Sequence, residues 1–123
     1  MRTIVAGSRG VSSFELVEWV CLSAFWQWQE PRPEHILCGL ARGVDALGEK
    51  FAHKYKIPVK YYPADWAGYG RSAGHVRNME MSRNADALIA IWDGASPGTK
   101  HMIDMARARH IETYIHVYTP YAA

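Results

Sequence analysis

The sequence predicts an α/β chain: a Rossmann-like three-layer α/β/α fold with a mostly parallel five-stranded sheet in the order 3-2-1-4-5. Three observations predict it. Short β-branched or apolar runs alternate with longer segments of helical period along the chain. Three of those runs end in glycine turns, GSRG at 7–10, GLARG at 39–43 and DGASPG at 93–98. The stretch ALIAIWDGASPGTKHMI at 87–103 is an apolar strand running through a glycine loop into a helix start, the sequence form of an α/β phosphate-binding turn. Right-handed crossovers leave few topologies. The order chosen sets the first and fourth strands side by side, so their ends bring residues 7–10 close to residues 94–100.

Residues 2–6 form the first strand. Ser12 with Glu15 three residues later reads as a capping box. The helix behind it carries one apolar face, Phe14, Val17, Cys21, Ala24, Phe25 and Trp28, and a second stripe, Trp19, Leu22 and Trp26. A helix apolar on two sides packs against two things, so an assembly of two or more copies is expected through Trp19, Leu22 and Trp26. Pro31 and Pro33 end the element. Residues 34–38 are the second strand, and Val44, Leu47 and Phe51 mark a helix of about ten residues after the glycine turn. The third strand, 57–62, has Pro58 at its start or at a sheet edge, because proline has no N–H for the ladder.

Residues 63–74, PADWAGYGRSAG, read as an irregular polar lid or ligand loop. A helix is predicted over 75–84, the fourth strand over 87–92, and a helix after Gly98 with Arg107, Arg109 and His110 near its end, where positive charge is favourable. The fifth strand spans 112–118 and residues 119–123 are a tail.

With 123 residues the chain fits one domain, residues 1–123, large enough to bury a core without a staple. No run approaches the roughly 18 apolar residues of a membrane span, and the N-terminus reads as strand and turn, not as a signal segment. Cys21 and Cys38 fall on a helix core and a strand end, so no disulfide is suggested and a reducing, cytoplasmic setting is expected. A formal charge of +2 is too weak to imply a nucleic-acid partner, and no long basic stripe is present, so nucleic acid is not expected.

Arg9, Arg42 and Lys100 stand in the three glycine turns, with Arg71 and Arg77 beside them in sequence or across the sheet edge. Glycine turns, helix starts and several cations at one edge suit a phosphate. Gly7, Ser8, Gly39, Asn78, Gly94, Ser96, Gly98 and Thr99 complete the candidate cradle. Trp66, Tyr69 or Trp92 offers a face for a base, and Asp45, Asp65 and Asp93 a partner for a ribose hydroxyl or base amino group. Each piece also has a bland reading: Gly7 and Gly10 as ordinary turn residues, Arg42 or Arg71 as surface charge, and Asp93 as a cap on its own turn. The methionines read as core filler and His53, His75 and His116 as surface or packing residues. The turn GSRG is not GxGxxG, and there is no Walker loop, no GxSxG elbow and no cysteine pair at ligand spacing. No cofactor and no metal are expected.

The runs IVAGSRG at 4–10, CGLARGVDALGEKFA at 38–52, YPADWAGYGRSAGHVRNMEM at 62–81, ADALIAIWDG at 85–94 and SPGTKHMI at 96–103 resemble the YspA-related domain of unknown function, a branch of the SLOG superfamily. The superfamily also holds the LOG phosphoribohydrolases, the DNA-processing protein DprA and molybdenum-cofactor carriers. The resemblance implies a Rossmann-like fold and a nucleotide or related phosphorylated ligand. It implies that Arg77 grips the nucleotide and that residues 94–102 stand where the phosphoribohydrolases carry PGGxGTxxE, with Gly98 and Thr99 matching. Met102 falls on the catalytic glutamate's place, and methionine cannot handle a proton.

Three functions follow as expectations. The first is a binding or sensing module for a nucleotide-derived small molecule. The second is a hydrolase of an N-glycosidic or phosphoester bond, with Asp65 or Asp93 as acid/base and Arg77 orienting the phosphate. The third is a DNA-binding or interaction protein.

Overall fold

A computed structural model describes residues 1–41 and 43–119. Its elements run β1 (Arg2–Gly7), α1 (Phe14–Gln27), β2 (His35–Cys38), α2 (Val44–Lys54), β3 (Val59–Tyr61), α3 (Trp66–Tyr69), a 3-10 turn (Gly70–Ser72), α4 (Ala73–Asn84), β4 (Ala87–Trp92), α5 (Pro97–Ala108) and β5 (Glu112–Val117). The sheet order is β3-β2-β1-β4-β5 and every pairing is parallel. This is the predicted three-layer architecture.

The strands are short and apolar because both faces are covered. Alternate side chains point to opposite faces. On one face Val5, Ile36, Ile89 and Ile91 pack with Val17, Cys21 and Phe25 of α1 and Val44, Phe51 and Ala52 of α2. On the other, Ile4, Leu37, Leu88 and Ala90 pack with Met81 of α4 and Met102, Ile103 and Ala106 of α5. Helices α1 and α2 therefore cover one face, and α4 and α5 the other.

Boundaries moved where local hydrogen bonding outweighed pattern. The cap of α1 is Ser13, whose Oγ accepts from Leu16 N at 3.2 Å, one residue after the expected Ser12. Strand β3 begins at Val59 because Ile57 N–H is taken by Ala52 O, closing α2. The loop expected over 63–74 contains α3 and the 3-10 turn, and α4 starts at Ala73, before the expected His75. Asp65 caps α3 by accepting from Gly68 N at 2.9 Å. Residues 120–123 of the expected tail lie outside the described residues. Cys21 and Cys38 are free thiols, both buried. No helix among the described residues is long and apolar enough to cross a membrane.

Candidate functional site

The site stands on the junction of β1 and β4. Their register pairs Gly7 with Ile91, and a Cβ on Gly7 would lie 2.1 Å from Ile91 O, so only glycine fits. Ser8 follows and ties three turns together. Its N–H donates to Ile91 O at 3.0 Å, and its carbonyl accepts from Val11 and Val44, each at 3.4 Å. Its hydroxyl accepts from Asp93 N at 3.0 Å and lies 3.2 Å from Ser96 Oγ. The loop after β4 is folded by Asp93. Its carboxylate accepts from Ala95 N at 2.8 Å, Ser96 N at 2.7 Å and Ser96 Oγ at 2.7 Å. Those bonds hold its pKa down to about 2. Trp92 closes the same loop, Nε1 donating to Ser96 O at 3.1 Å.

The second wall is α4. Arg77 donates through Nη1 to Gly39 O and through Nε to Asn78 Oδ1 at 3.0 Å. Arginine only donates, which fixes the Asn78 amide with Oδ1 toward Arg77. Nδ2 of Asn78 then reaches Gly98 O at 3.4 Å and His101 Nδ1 at 3.2 Å. Gly39 has to lack a side chain, since a Cβ there would meet Arg77 at 2.8 Å and Asp45 at 3.0 Å. Asp45 is buried in this wall and accepts from Ala41 N at 3.3 Å. Burial pushes its pKa up to about 6, against the pull of Arg77, the Ala41 and Gly7 amides and Arg9. His75, from the first turn of α4, and His101, from the second turn of α5, stack with ring centroids 3.9 Å apart and planes at 10°. Burial and the neighbouring His75 lower the His101 pKa, opposed by Asp104.

These walls enclose an open cavity of about 760 Å³. From the β1 turn it is lined by Gly7, Ser8 and Arg9, and from α2 by Asp45. Trp66 of α3, Arg71 of the 3-10 turn, and Arg77 and Asn78 of α4 form the opposite side. Asp93 and Ser96 of the β4–α5 loop and Gly98 and Thr99 of the first turn of α5 close it. None of Arg9, Arg71 and Arg77 forms an ion pair among the described residues.

Other sequence candidates fall elsewhere. Lys100 pairs with Asp104 at 2.8 Å on the exposed side of α5. Asp65 is spent on the α3 cap. Gly39 sits behind Arg77, Gly94 is exposed in its turn at φ 82°, and Arg42 lies outside the described residues. Met102 is 1% exposed and forms apolar floor to the cavity. His75 and Tyr118 line the cavity, although the sequence marks neither as a ligand residue. The signal for His75 is its place at a helix start beside Arg77 and Asn78. Of the aromatic stripe on α1, Trp19 meets His116 edge-on at 5.8 Å, and Trp26 is 84% exposed.

Fold and site together define a Rossmann-like α/β protein with a cationic cavity at the strand ends where the sheet order reverses. No protein-family model matches the chain. The chain is similar to the gene 61 protein of Mycobacterium phage D29, 33% identical over an alignment 78 residues long that covers 58% of this chain and 62% of that protein. It therefore spans less than two thirds of that relative's length. Its fold is similar to that of DNA processing protein A (DprA) from Streptococcus pneumoniae, with TM-score 0.76 and 16% identity over 98% of this chain and 51% of that one.

The DprA likeness corrects one expectation. Nucleic acid was set aside because the whole chain carries only +2, yet the fold is shared with a DNA-processing protein. A sum over the chain conceals local clustering. Most of the acids that cancel Arg9, Arg71 and Arg77 in the total lie elsewhere, while the fold collects those three at one cavity beside Asp45 and Asp93.

Proposed function

We propose that this chain binds nucleotide-bearing phosphate at the cavity between β1, β4 and α4, with single-stranded nucleic acid as the ligand. The observation that carries the reading is the convergence of Arg9, Arg71 and Arg77 on one open cavity, with Trp66 on its wall. Trp66 and Tyr69 are 58% and 54% exposed, although both are large aromatics on one short helix. Exposed aromatics beside a cationic groove are what a single strand uses: bases stack and phosphates meet arginine. The likeness to DprA supports this by analogy of fold only. Asp93 serves its loop and Asp65 serves α3, so the proposed activity is binding.

A second reading, a mononucleotide-derived ligand, is favoured by the folded β4–α5 loop, whose Gly98 and Thr99 sit in the first turn of α5 and line the cavity. Fluorescence anisotropy with labelled oligothymidylate distinguishes the two. Binding should weaken with salt, with a log–log slope of about −2 for three neutralised phosphates at roughly 0.7 each. An excess of thymidine monophosphate should compete poorly. Effective competition would favour the second reading, and no binding of either would reject both.

A further inference from the structure

The stacked histidines have no part in the fold's core and none in the phosphate contacts described so far. They stand in the N-terminal halves of two adjacent helices, and His75 lines the cavity. Three facts fix how the pair behaves. His101 Nδ1 accepts from Asn78, whose amide is locked by Arg77, so His101 carries its hydrogen on Nε2 and is neutral. Two imidazoles 3.9 Å apart cannot both carry a charge at moderate cost. A proton placed on His101 Nδ1 would turn the Asn78 contact into two opposed donors, so the proton belongs on His75.

The surrounding charges are mixed. Arg71 from the 3-10 turn, Arg77 from α4 and Arg9 from the β1 turn share the cavity with His75. Asp45 from α2 and Asp93 from the β4 loop face the same space. On α5, Asp104 acts on His101 and is itself paired with Lys100. A phosphodiester bound among the three arginines places a negative charge in the same cavity as His75 and favours the cationic imidazole there.

We propose that the His75–His101 stack is a one-proton anion clasp: on binding a phosphodiester, His75 takes a proton and meets the anion as imidazolium, backed by neutral His101. This rests on the phosphate-binding reading and adds a binding residue and a proton to it. Affinity therefore rises as pH falls through the imidazole range, by up to about tenfold per pH unit for one proton.

Oligothymidylate is the probe, because neither its phosphodiesters nor its bases titrate in that range. Binding is measured between about pH 6 and pH 8 at fixed salt, and proton uptake by calorimetry in two buffers of different ionisation enthalpy. The wild-type chain should take up as much as one proton, and His75→Gln should take up measurably less with a flatter pH profile. His101→Phe, which keeps a stacking face, should retain the uptake. Asp45→Asn removes the other group titrating nearby and should leave the His75-dependent part in place. Binding with the same proton uptake in His75→Gln as in wild type would overturn the clasp and leave the phosphate site standing. Loss of uptake in His101→Phe but not in His75→Gln would also overturn it. No binding by the wild-type chain at any pH would reject the phosphate site and the clasp together.

Discussion

Replacing Asp45 by asparagine should stabilise this protein, and the gain should grow with pH. Asp45 is 6% exposed, and burial raises its pKa from 3.8 to about 6. A carboxyl with a raised folded pKa holds its proton in the native state while the unfolded chain has lost it. Between pH 3.8 and 6 the native state thus binds more protons, and stability falls as pH rises through that window. The shift is about 2 pH units at about 1.4 kcal/mol each, so ionised Asp45 costs about 3 kcal/mol at neutral pH. The amide introduced by Asp45→Asn keeps an oxygen for Ala41 N and fits the same volume. Urea unfolding of both proteins at about pH 4 and pH 8 gives the two differences in stability. Asp45→Asn should match wild type within about 1 kcal/mol at the acid end and exceed it by about 2–3 kcal/mol at the alkaline end. Other acids, such as Asp86 and Asp93, cancel in the difference. A pH-independent difference, or a variant weaker at pH 8, would refute the view that desolvation dominates this carboxyl.

Three further outcomes are expected. Gly7→Ala places a Cβ 2.1 Å from Ile91 O between the two central strands, so it should cost roughly 3 kcal/mol or more, and a melting temperature near wild type would contradict the register. Trp66→Ala should weaken oligothymidylate binding by about 1–3 kcal/mol while leaving the melting temperature unchanged, since the ring is 58% exposed; equal loss of stability would assign Trp66 to the fold instead. Asp86→Ala breaks the bonds from Arg2 N at 2.8 Å and from the Arg2 guanidinium at 3.2 Å, and should cost about 1 kcal/mol at pH 7 by thermal unfolding. Arg2 holds the Asp86 pKa down, so that contribution persists above the unfolded carboxyl range and fades as pH falls through the folded value.

The sheet order was readable because each strand announced itself by β-branched residues and each crossover by a helix, and handedness left little choice. The same reasoning set residues 7–10 beside residues 94–100, and the 3.2 Å contact between the Ser8 and Ser96 hydroxyls is that proximity in atoms. What stayed illegible depended on which partner a polar group would choose. The capping-box spacing to Glu15 points to Ser12, yet both serines precede the same apolar run and it is Ser13 that accepts from Leu16 N. Lys100 reads as a phosphate ligand by position, yet Asp104 one turn later offers a nearer charge. Asp65 reads as a site acid, yet Gly68 N lies three residues on, ready for a cap. Asn78 illustrates the reverse: its reach to Gly98 and His101 spans two helices, a contact that depends on packing and leaves no periodic trace.

The two sides of the cavity differ in what they owe to the fold. On one side Ser8 is nearly buried and bonded to three separate turns, so almost any replacement there disturbs the whole sheet edge. On the other, neither α3 nor the 3-10 turn buries a single residue. Substitutions at Trp66, Tyr69 and Arg71 can therefore accumulate with little loss of folding free energy, while Gly68, packed against the Asp65 cap, and Gly70, at φ 55°, stay fixed. Mutation can explore new ligand preferences on that rim while the floor is retained, so chains of this architecture are free to diverge in what they hold long before they diverge in shape. A library randomised at Trp66, Tyr69 and Arg71 should remain folded in most of its members.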